Sequence, residues 1–100
     1  ISDPYTLSQE QVYLFSLSKA YPNPFNPTTT IEYSLADNVD YMNLSIFDLR
    51  GRLVENLFSG SNKKGNHSIL WNASNNASGV YFINMVIDNR VYKEKIILLK

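Results

Sequence analysis

The sequence contains no cysteine among its 100 residues. It therefore forms no disulfide bond and no thiolate metal site, and cysteine use gives no information on the compartment. No run of 18 apolar residues occurs, and no basic amino terminus leads into an apolar stretch, so we expect neither a membrane span nor a retained export signal.

Charge of one sign is not in excess either. Lysine and arginine total nine, aspartate and glutamate also total nine, and the formal net charge is zero. Because binding to a phosphate backbone requires a basic face, nucleic acid is not an expected partner. At 44% hydrophobic residues the chain is not of the disordered class, and its length suits one core and not two.

Strand patterns occupy the chain from Thr28 onward, and no segment requires a helix. Ile31, Tyr33 and Leu35 alternate with polar residues, which is typical of a half-buried strand. Turn signals separate the later segments at short intervals. The pattern predicts an all-β fold, an immunoglobulin-like antiparallel β-sandwich of about seven strands. The later predicted strands centre on Met42, Leu44 and Ile46; residues 53–58; His67, Ile69 and Trp71; Tyr81, Ile83, Met85 and Ile87; and residues 91–99.

The predicted turns use residues that permit tight reversals. Gly51 lies in the segment 49–52, which is predicted to close a hairpin, and Asp88 with Asn89 is predicted to close a second one. Longer loops are predicted at residues 59–65 and 72–78.

The core has no cystine, so apolar packing alone must hold the two sheets together. Trp71, the single tryptophan, is predicted to lie at its centre. Tyr81 stands two residues before Ile83, the spacing of the corner tyrosine in immunoglobulin domains, whose hydroxyl bonds nearby backbone. We therefore expect Gly79 and Tyr81 to have structural roles.

A proline-rich segment precedes the first clear strand. Pro22, Pro24 and Pro27 each fix their own φ and lack a backbone donor, so they cannot lie inside a regular strand or helix. They predict a stiff corner where the folded domain begins. Residues 1–14 show no clear period and are predicted to be a linker from an upstream protein, with an additional edge strand around residues 12–17 as the alternative.

Catalytic and metal-binding constellations are poor. His67 is the only histidine, no serine lies in a nucleophile elbow, and its position predicts the start of a strand. We predict no catalytic residue, no metal site and no cofactor. Aspartates at turns are expected to bond local backbone, although a calcium site remains an alternative; they are Asp37, Asp40, Asp48 and Asp88. Four Asn-x-Ser triplets begin at Asn43, Asn66, Asn72 and Asn76 and are interpreted as turns and polar strand positions.

The last predicted strand is unusual because residues 95–100 carry aliphatic side chains on both faces. One explanation is a strand covered on both sides. The other is that one face, or an unpaired edge, is offered to a partner that adds a strand. The residue pattern does not decide between these two explanations.

Five segments of the chain form an ordered motif series: FSLSKAYPNPFNPTTTIEYSL (15–35), FDLRGRLV (47–54), GNHSILW (65–71), ASGVYFINM (77–85) and KEKIILLK (93–100). In this order they resemble the C-terminal sorting domains of proteins exported by the type IX secretion system of Gram-negative bacteria. The resemblance covers residues 15–100, with Lys19, Ala20 and Phe47 as departures from the family pattern. The immunoglobulin-like module of flagellar hook-capping proteins has a similar pattern.

The resemblance implies a non-catalytic sorting domain at residues 15–100 that directs an upstream cargo through the periplasm to the cell surface. The implied partners are the outer-membrane translocon, a shuttle protein and a cell-surface sortase that removes the domain near residues 1–14. The residues implied for sorting recognition are Val91, Tyr92, Lys93, Lys95, Ile96, Ile97, Leu98, Leu99 and Lys100. The family motif residues, implied to be mainly structural, are Pro22, Asn23, Pro24, Phe25, Asn26, Pro27, Gly51, Trp71, Gly79 and Tyr81.

Two other functions remain open from the sequence. One is an accessory carbohydrate-binding or adhesion module of a secreted enzyme, in which exposed Tyr5, Tyr41, Phe47 or Tyr92 would stack on sugar rings. The other is a structural immunoglobulin-like spacer or a hook-cap-like assembly module, which would be favoured if the last strand were wholly paired.

Overall fold

The computed structural model describes residues 15–100, and within them the chain forms strands and no helix. The seven strands are β1 (Ser16–Tyr21), β2 (Thr28–Leu35), β3 (Val39–Asp48), β4 (Leu53–Asn62), β5 (Gly65–Asn72), β6 (Gly79–Ile87) and β7 (Arg90–Leu98).

The strands form two antiparallel sheets, one in the order β1-β2-β5 and one in the order β4-β3-β6-β7. Strands β3 and β4, and β6 and β7, are hairpins within the second sheet, whereas β4 and β5 follow each other in different sheets. This confirms the predicted fold class. Strand β7 is an edge strand, because it pairs with β6 on one side and with no other strand in the described part of the chain.

The core lies between the sheets and consists of alternate side chains from both. On β2, Ile31, Tyr33 and Leu35 are all buried, as their alternation predicts. Trp71 on β5 is 1% exposed and stacks edge-on against Tyr81 of β6, with ring centroids 5.5 Å apart. The prediction that Trp71 lies at the core centre is thus confirmed.

Tyr81 also behaves as a corner tyrosine. Its hydroxyl donates a hydrogen bond of 2.6 Å to the backbone oxygen of Ala77, four residues earlier. The bond joins the loop before β6 to the beginning of that strand. Gly79, between the two, has a φ of +156°.

The β3–β4 turn follows its predicted chemistry. Gly51 has a φ of +83°, a value that glycine adopts readily, and its N–H donates to the Asp48 oxygen at 2.9 Å. The Asp48 carboxylate accepts hydrogen bonds from the backbone N–H groups of Arg50 and Arg52, both at 2.9 Å. It also forms an ion pair with the Arg52 guanidinium at 2.9 Å. At the β6–β7 turn, Asp88 has a φ of +55°.

Three predicted boundaries need correction. The loop predicted at residues 59–65 is wrong at both ends, since β4 continues through Asn62, which pairs with Val39, and β5 begins at Gly65, which pairs with Leu35. Strand β7 begins at Arg90 and ends at Leu98, one residue earlier at each end than predicted. An edge strand does precede the prolines, but it runs from Ser16 to Tyr21. Residues 12–14 of the predicted strand lie outside the described residues.

Candidate functional site

The proline corner, residues 22–27, lies between β1 and β2 and reaches across the sandwich to β7. As predicted, none of its three prolines lies in a strand. The corner is attached to the sheet below it because the Thr29 hydroxyl donates to the Pro22 oxygen at 2.7 Å and the Ala73 N–H donates to the Pro27 oxygen at 2.9 Å.

Phe25 anchors the proline corner in the core. Its side chain is 2% exposed and its ring centroid lies 5.6 Å from that of Trp71. With the Trp71–Tyr81 contact, this makes a continuous row of three aromatic rings from the corner to β6. Aromatic pairs at these separations and tilts are favourable beyond their buried area.

The proline corner also closes part of the outer edge of β7. The Phe25 N–H donates to the Ile97 oxygen at 2.9 Å, and the Leu99 N–H donates to the Phe25 oxygen at 3.0 Å. The Asn23 side chain forms a similar pair of bonds two residues earlier along β7. Its Nδ2 donates to the Lys95 oxygen at 3.1 Å, and its Oδ1 accepts from the Ile97 N–H at 3.0 Å. We call residues 96–99, which are the end of β7 and the residue that follows it, the sealed half of β7.

The remainder of this edge is open. In an antiparallel ladder, alternate residues direct both backbone groups toward or away from the neighbouring strand. Because Ile97 and Leu99 bond to the corner, the same alternation directs the groups of Val91, Lys93 and Lys95 away from β6. Apart from the Lys95 oxygen, none of these outward groups has a partner within residues 15–100. We call residues 91–95 the open half of β7.

The side chains predicted for sorting recognition fall into two sets. Ile96 and Leu98 are completely buried, and Tyr92 packs against the core, so these three stabilise the sandwich. Val91, Lys93 and Lys95 are exposed on the other face of the strand, and Leu99, beyond the strand, is 55% exposed. Ile97 is partly covered. The strand thus alternates, with one face in the core, although its sequence suggests aliphatic residues on both faces.

Lys100 is fastened to the loop that precedes β6. Its N–H donates to the Ser78 hydroxyl at 2.9 Å, and its ammonium group donates to the backbone oxygens of Ser74 and Asn76 at 2.7 and 2.9 Å. Sequence analysis missed these contacts and those of Asn23 with β7. No local pattern signals them, since the partners are 22 to 74 residues apart.

The aromatic residues proposed for sugar stacking do not share one platform. Tyr41 is 58% exposed, whereas Tyr92 packs against the core from the inner face of β7. Phe47 is half-buried beside its cross-strand neighbour Phe82. Tyr5 lies outside the described residues.

His67 is not part of a catalytic arrangement among residues 15–100. Its Nε2 lies 2.6 Å from the Lys63 oxygen and its ring stacks on Tyr33 at 5.2 Å, and no serine hydroxyl bonds to it there. The carboxylates of Asp37 and Asp48 accept local backbone N–H groups, as predicted. The described residues contain no group of three or more metal-ligating side chains, and no helix in this part of the chain has the length and apolarity to cross a membrane.

Comparison with known proteins agrees with the predicted family. The model of the secretion system C-terminal sorting domain matches residues 19–99. A solved structure of PorZ, described as an essential bacterial surface component of the type-IX secretion system of Porphyromonas gingivalis, is similar in fold. Its TM-score is 0.56 at 22% identity, over 82% of this chain and 11% of that one. No curated protein matches the chain. The chain therefore belongs to the family of secretion system C-terminal sorting domains.

Proposed function

We propose that this chain is a non-catalytic sorting domain that directs an upstream cargo protein through the type IX secretion system to the cell surface. The family match over residues 19–99 supports the sorting role. The domain acts as a ligand of the export apparatus, presenting a folded sandwich and its last strand. Its partners are then the outer-membrane translocon and its shuttle protein, and its cargo is secreted or held at the surface.

The open half of β7 carries this proposal. It belongs to an edge strand, its Val91, Lys93 and Lys95 side chains are exposed, and its outward backbone groups other than the Lys95 oxygen have no partner within residues 15–100. Exposed edges are normally blunted or covered because they pair with other chains. An edge that is closed over only one half therefore suits recognition by another protein.

A cell-surface sortase is proposed to remove the domain after export. Its cut lies at or near residues 1–14, ahead of the sorting domain at residues 15–100. On this proposal the domain is discarded once the cargo reaches the surface, so its own stability serves export and not the final activity.

A fusion experiment tests the sorting role. A reporter with an export signal is joined to the amino terminus of the chain and expressed in a bacterium with type IX secretion and in a strain whose translocon is deleted. We expect the reporter at the surface of the first strain and in the periplasm of the second. Equal distribution in the two strains would refute the proposal.

A short deletion separates recognition from folding. Removing Leu99 and Lys100 leaves the buried Ile96 and Leu98 in place, so the sandwich should still fold, as circular dichroism and thermal melting would check. We expect the fused reporter to remain in the periplasm, because Leu99 and Lys100 belong, together with the open half, to the last segment proposed for sorting recognition. Substituting Ser59 and Ser61 on β4 with alanine, at the opposite edge of the same sheet, is the matched control.

A further inference from the structure

We propose that the partner adds a strand to the open half of β7, and that this strand carries acidic side chains at alternate positions. The inference rests on the proposed sorting function and names the chemistry of the segment that recognises the last strand. Three features of β7 support it: the unpaired backbone groups of the open half, the lysine side chains beside them, and the proline corner that closes the rest of the edge.

The backbone of the open half supplies a short, ordered template. The N–H and oxygen of Val91, the N–H and oxygen of Lys93, and the N–H of Lys95 point away from β6 and have no partner within residues 15–100. The opposite side of the strand is held by β6 in an unbroken register from Arg90 to Leu98. Strand β1 lies close to β7 without pairing with it, so these groups are left for an extended segment that enters beside β1.

The side chains beside this edge are cationic. Lys93 and Lys95 lie on the outer face of the sheet, next to Asn84 and Phe82 of β6. The described residues contain one ion pair, between Arg52 and Asp48, so neither ammonium group has a carboxylate partner there. Residues of an added strand would stand directly opposite Lys93 and Lys95, where opposite charges stabilise a pair and like charges destabilise it.

The proline corner fixes where the added strand ends. Beyond Lys95, the outward groups are already bonded to the Asn23 side chain and the Phe25 backbone. A strand that pairs with Val91 and Lys93 must stop or turn away at this point. The corner thus sets the length and register of the segment that binds, which a uniform open edge would not do.

A second copy of this chain is a poorer occupant. Two open halves paired antiparallel would bring the lysines of one copy opposite the lysines of the other, which is unfavourable. Lysines on exposed edges also keep copies from aggregating. Preventing aggregation requires only the positive charge of the lysines, whereas recognition requires both this charge and the outward N–H groups. A substitution that removes the N–H groups therefore affects recognition alone.

The double variant Val91→Pro with Lys93→Pro tests the backbone requirement. Each proline removes an N–H that points away from β6, so the ladder within the sheet is retained. Loss of two intermolecular hydrogen bonds should lower surface display of the fused reporter by about tenfold. The control, Val91→Ala with Lys93→Ala, retains both N–H groups and should lower display less. Unchanged display of the proline variant would overturn the inference.

The double variant Lys93→Glu with Lys95→Glu tests the charge. It should lower surface display by at least as much as the proline variant, because attraction becomes repulsion at both positions. The control is Lys63→Glu with Lys64→Glu, which makes the same charge change in the β4–β5 connection. Equal display of both charge variants would overturn the acidic character of the partner.

Amide hydrogen exchange on the purified chain tests whether the edge is open. We expect fast exchange at Val91 and Lys93 and slow exchange at Ile97 and Leu99. Slow exchange at Val91 and Lys93 that depends on concentration would indicate a second copy, and concentration-independent protection would indicate the chain's own residues 1–14. Either result overturns the inference. If the unmodified fusion is not displayed, the sorting role itself fails, which is a different outcome.

Discussion

The two halves of β7 differ both in their residues and in their environments: residues 91–95 are mostly charged, whereas residues 96–99 are all aliphatic. In the sealed half, the outward backbone groups bond to the proline corner, and Ile96 and Leu98 are wholly buried. In the open half, the outward groups other than the Lys95 oxygen have no partner within residues 15–100, and Val91 is 54% exposed. The proline corner thus closes the half of β7 that contributes to the core and leaves unbonded the half that we propose for recognition.

Trp71→Ala should have the largest effect, because it removes the middle ring of the row Phe25, Trp71 and Tyr81 in the core. Deleting a buried tryptophan typically lowers the free energy of unfolding by about 3–5 kcal/mol, a large part of the margin of a small domain. We expect loss of the cooperative thermal transition, measured by circular dichroism. Leu70→Ala, at a neighbouring and 60% exposed position, is the control and should change little. A melting temperature of Trp71→Ala within a few degrees of the unmodified chain would contradict the role given to Trp71.

Asn23→Ala should convert part of the sealed half into an open edge. The variant loses the two hydrogen bonds to Lys95 and Ile97, which should lower the free energy of unfolding by about 1–2 kcal/mol. Amide exchange should accelerate at Ile97 and stay unchanged at Val91. Asn26→Ala, a second exposed asparagine of the corner, is the matched control. Unchanged exchange at Ile97 would show that Asn23 does not close the edge.

Tyr81→Phe should weaken the same end of the sandwich by less. The ring and its contact with Trp71 remain, but the Ala77 oxygen loses a donor 2.6 Å away. We expect a decrease in the free energy of unfolding of about 1 kcal/mol, measured by urea denaturation. Tyr41→Phe, at an exposed position, provides the comparison and should have no measurable effect on unfolding.

Asp48→Asn should have the smallest effect at neutral pH and a visible one in acid. Hydrogen bonds from the Arg52 backbone, and then from the Arg52 side chain and the Arg50 backbone, hold the pKa of Asp48 below its ordinary value. A carboxylate with a lowered folded-state pKa stabilises the fold above its unfolded pKa, about 3.9, and this contribution is lost as the pH falls through the folded value.

The unmodified chain should therefore lose stability below about pH 4, and the asparagine variant should lose less of it over the same interval. The measurement is the urea midpoint across an acid pH series. Asp40→Asn on β3 is the control. Identical pH profiles for the unmodified chain and Asp48→Asn would contradict the assignment.

Regular alternation made much of the fold predictable. The strands β2, β3, β5, β6 and β7, the Gly51 turn, the buried Trp71 and the corner role of Tyr81 all follow from local patterns. The end of β4 was missed because residues 59–62 carry no apolar alternation, and only pairing with β3 extends the strand there. Strand β1 was hard to locate because its pairing with β2 is irregular between Leu17 and Ala20.

The candidate site was predictable in part only. The sequence singled out the last strand and the proline segment, but it did not show that the two touch. That contact joins residues 72 to 74 positions apart, and a side chain such as Asn23 has no local pattern that reveals so distant a partner. For the same reason the division of β7 into two halves was not foreseen.

The contact between the proline corner and β7 has a consequence for how the chain folds. Thr29, Trp71 and Ala73 can hold the corner as soon as β2 and β5 are in place. The hydrogen bonds of Asn23 and of the Phe25 backbone form only when residues 95–99 are present. Contacts of such long range form late and slowly. A chain that stops short of Ile97 therefore lacks every hydrogen bond that joins Ile97 and Leu99 to the proline corner.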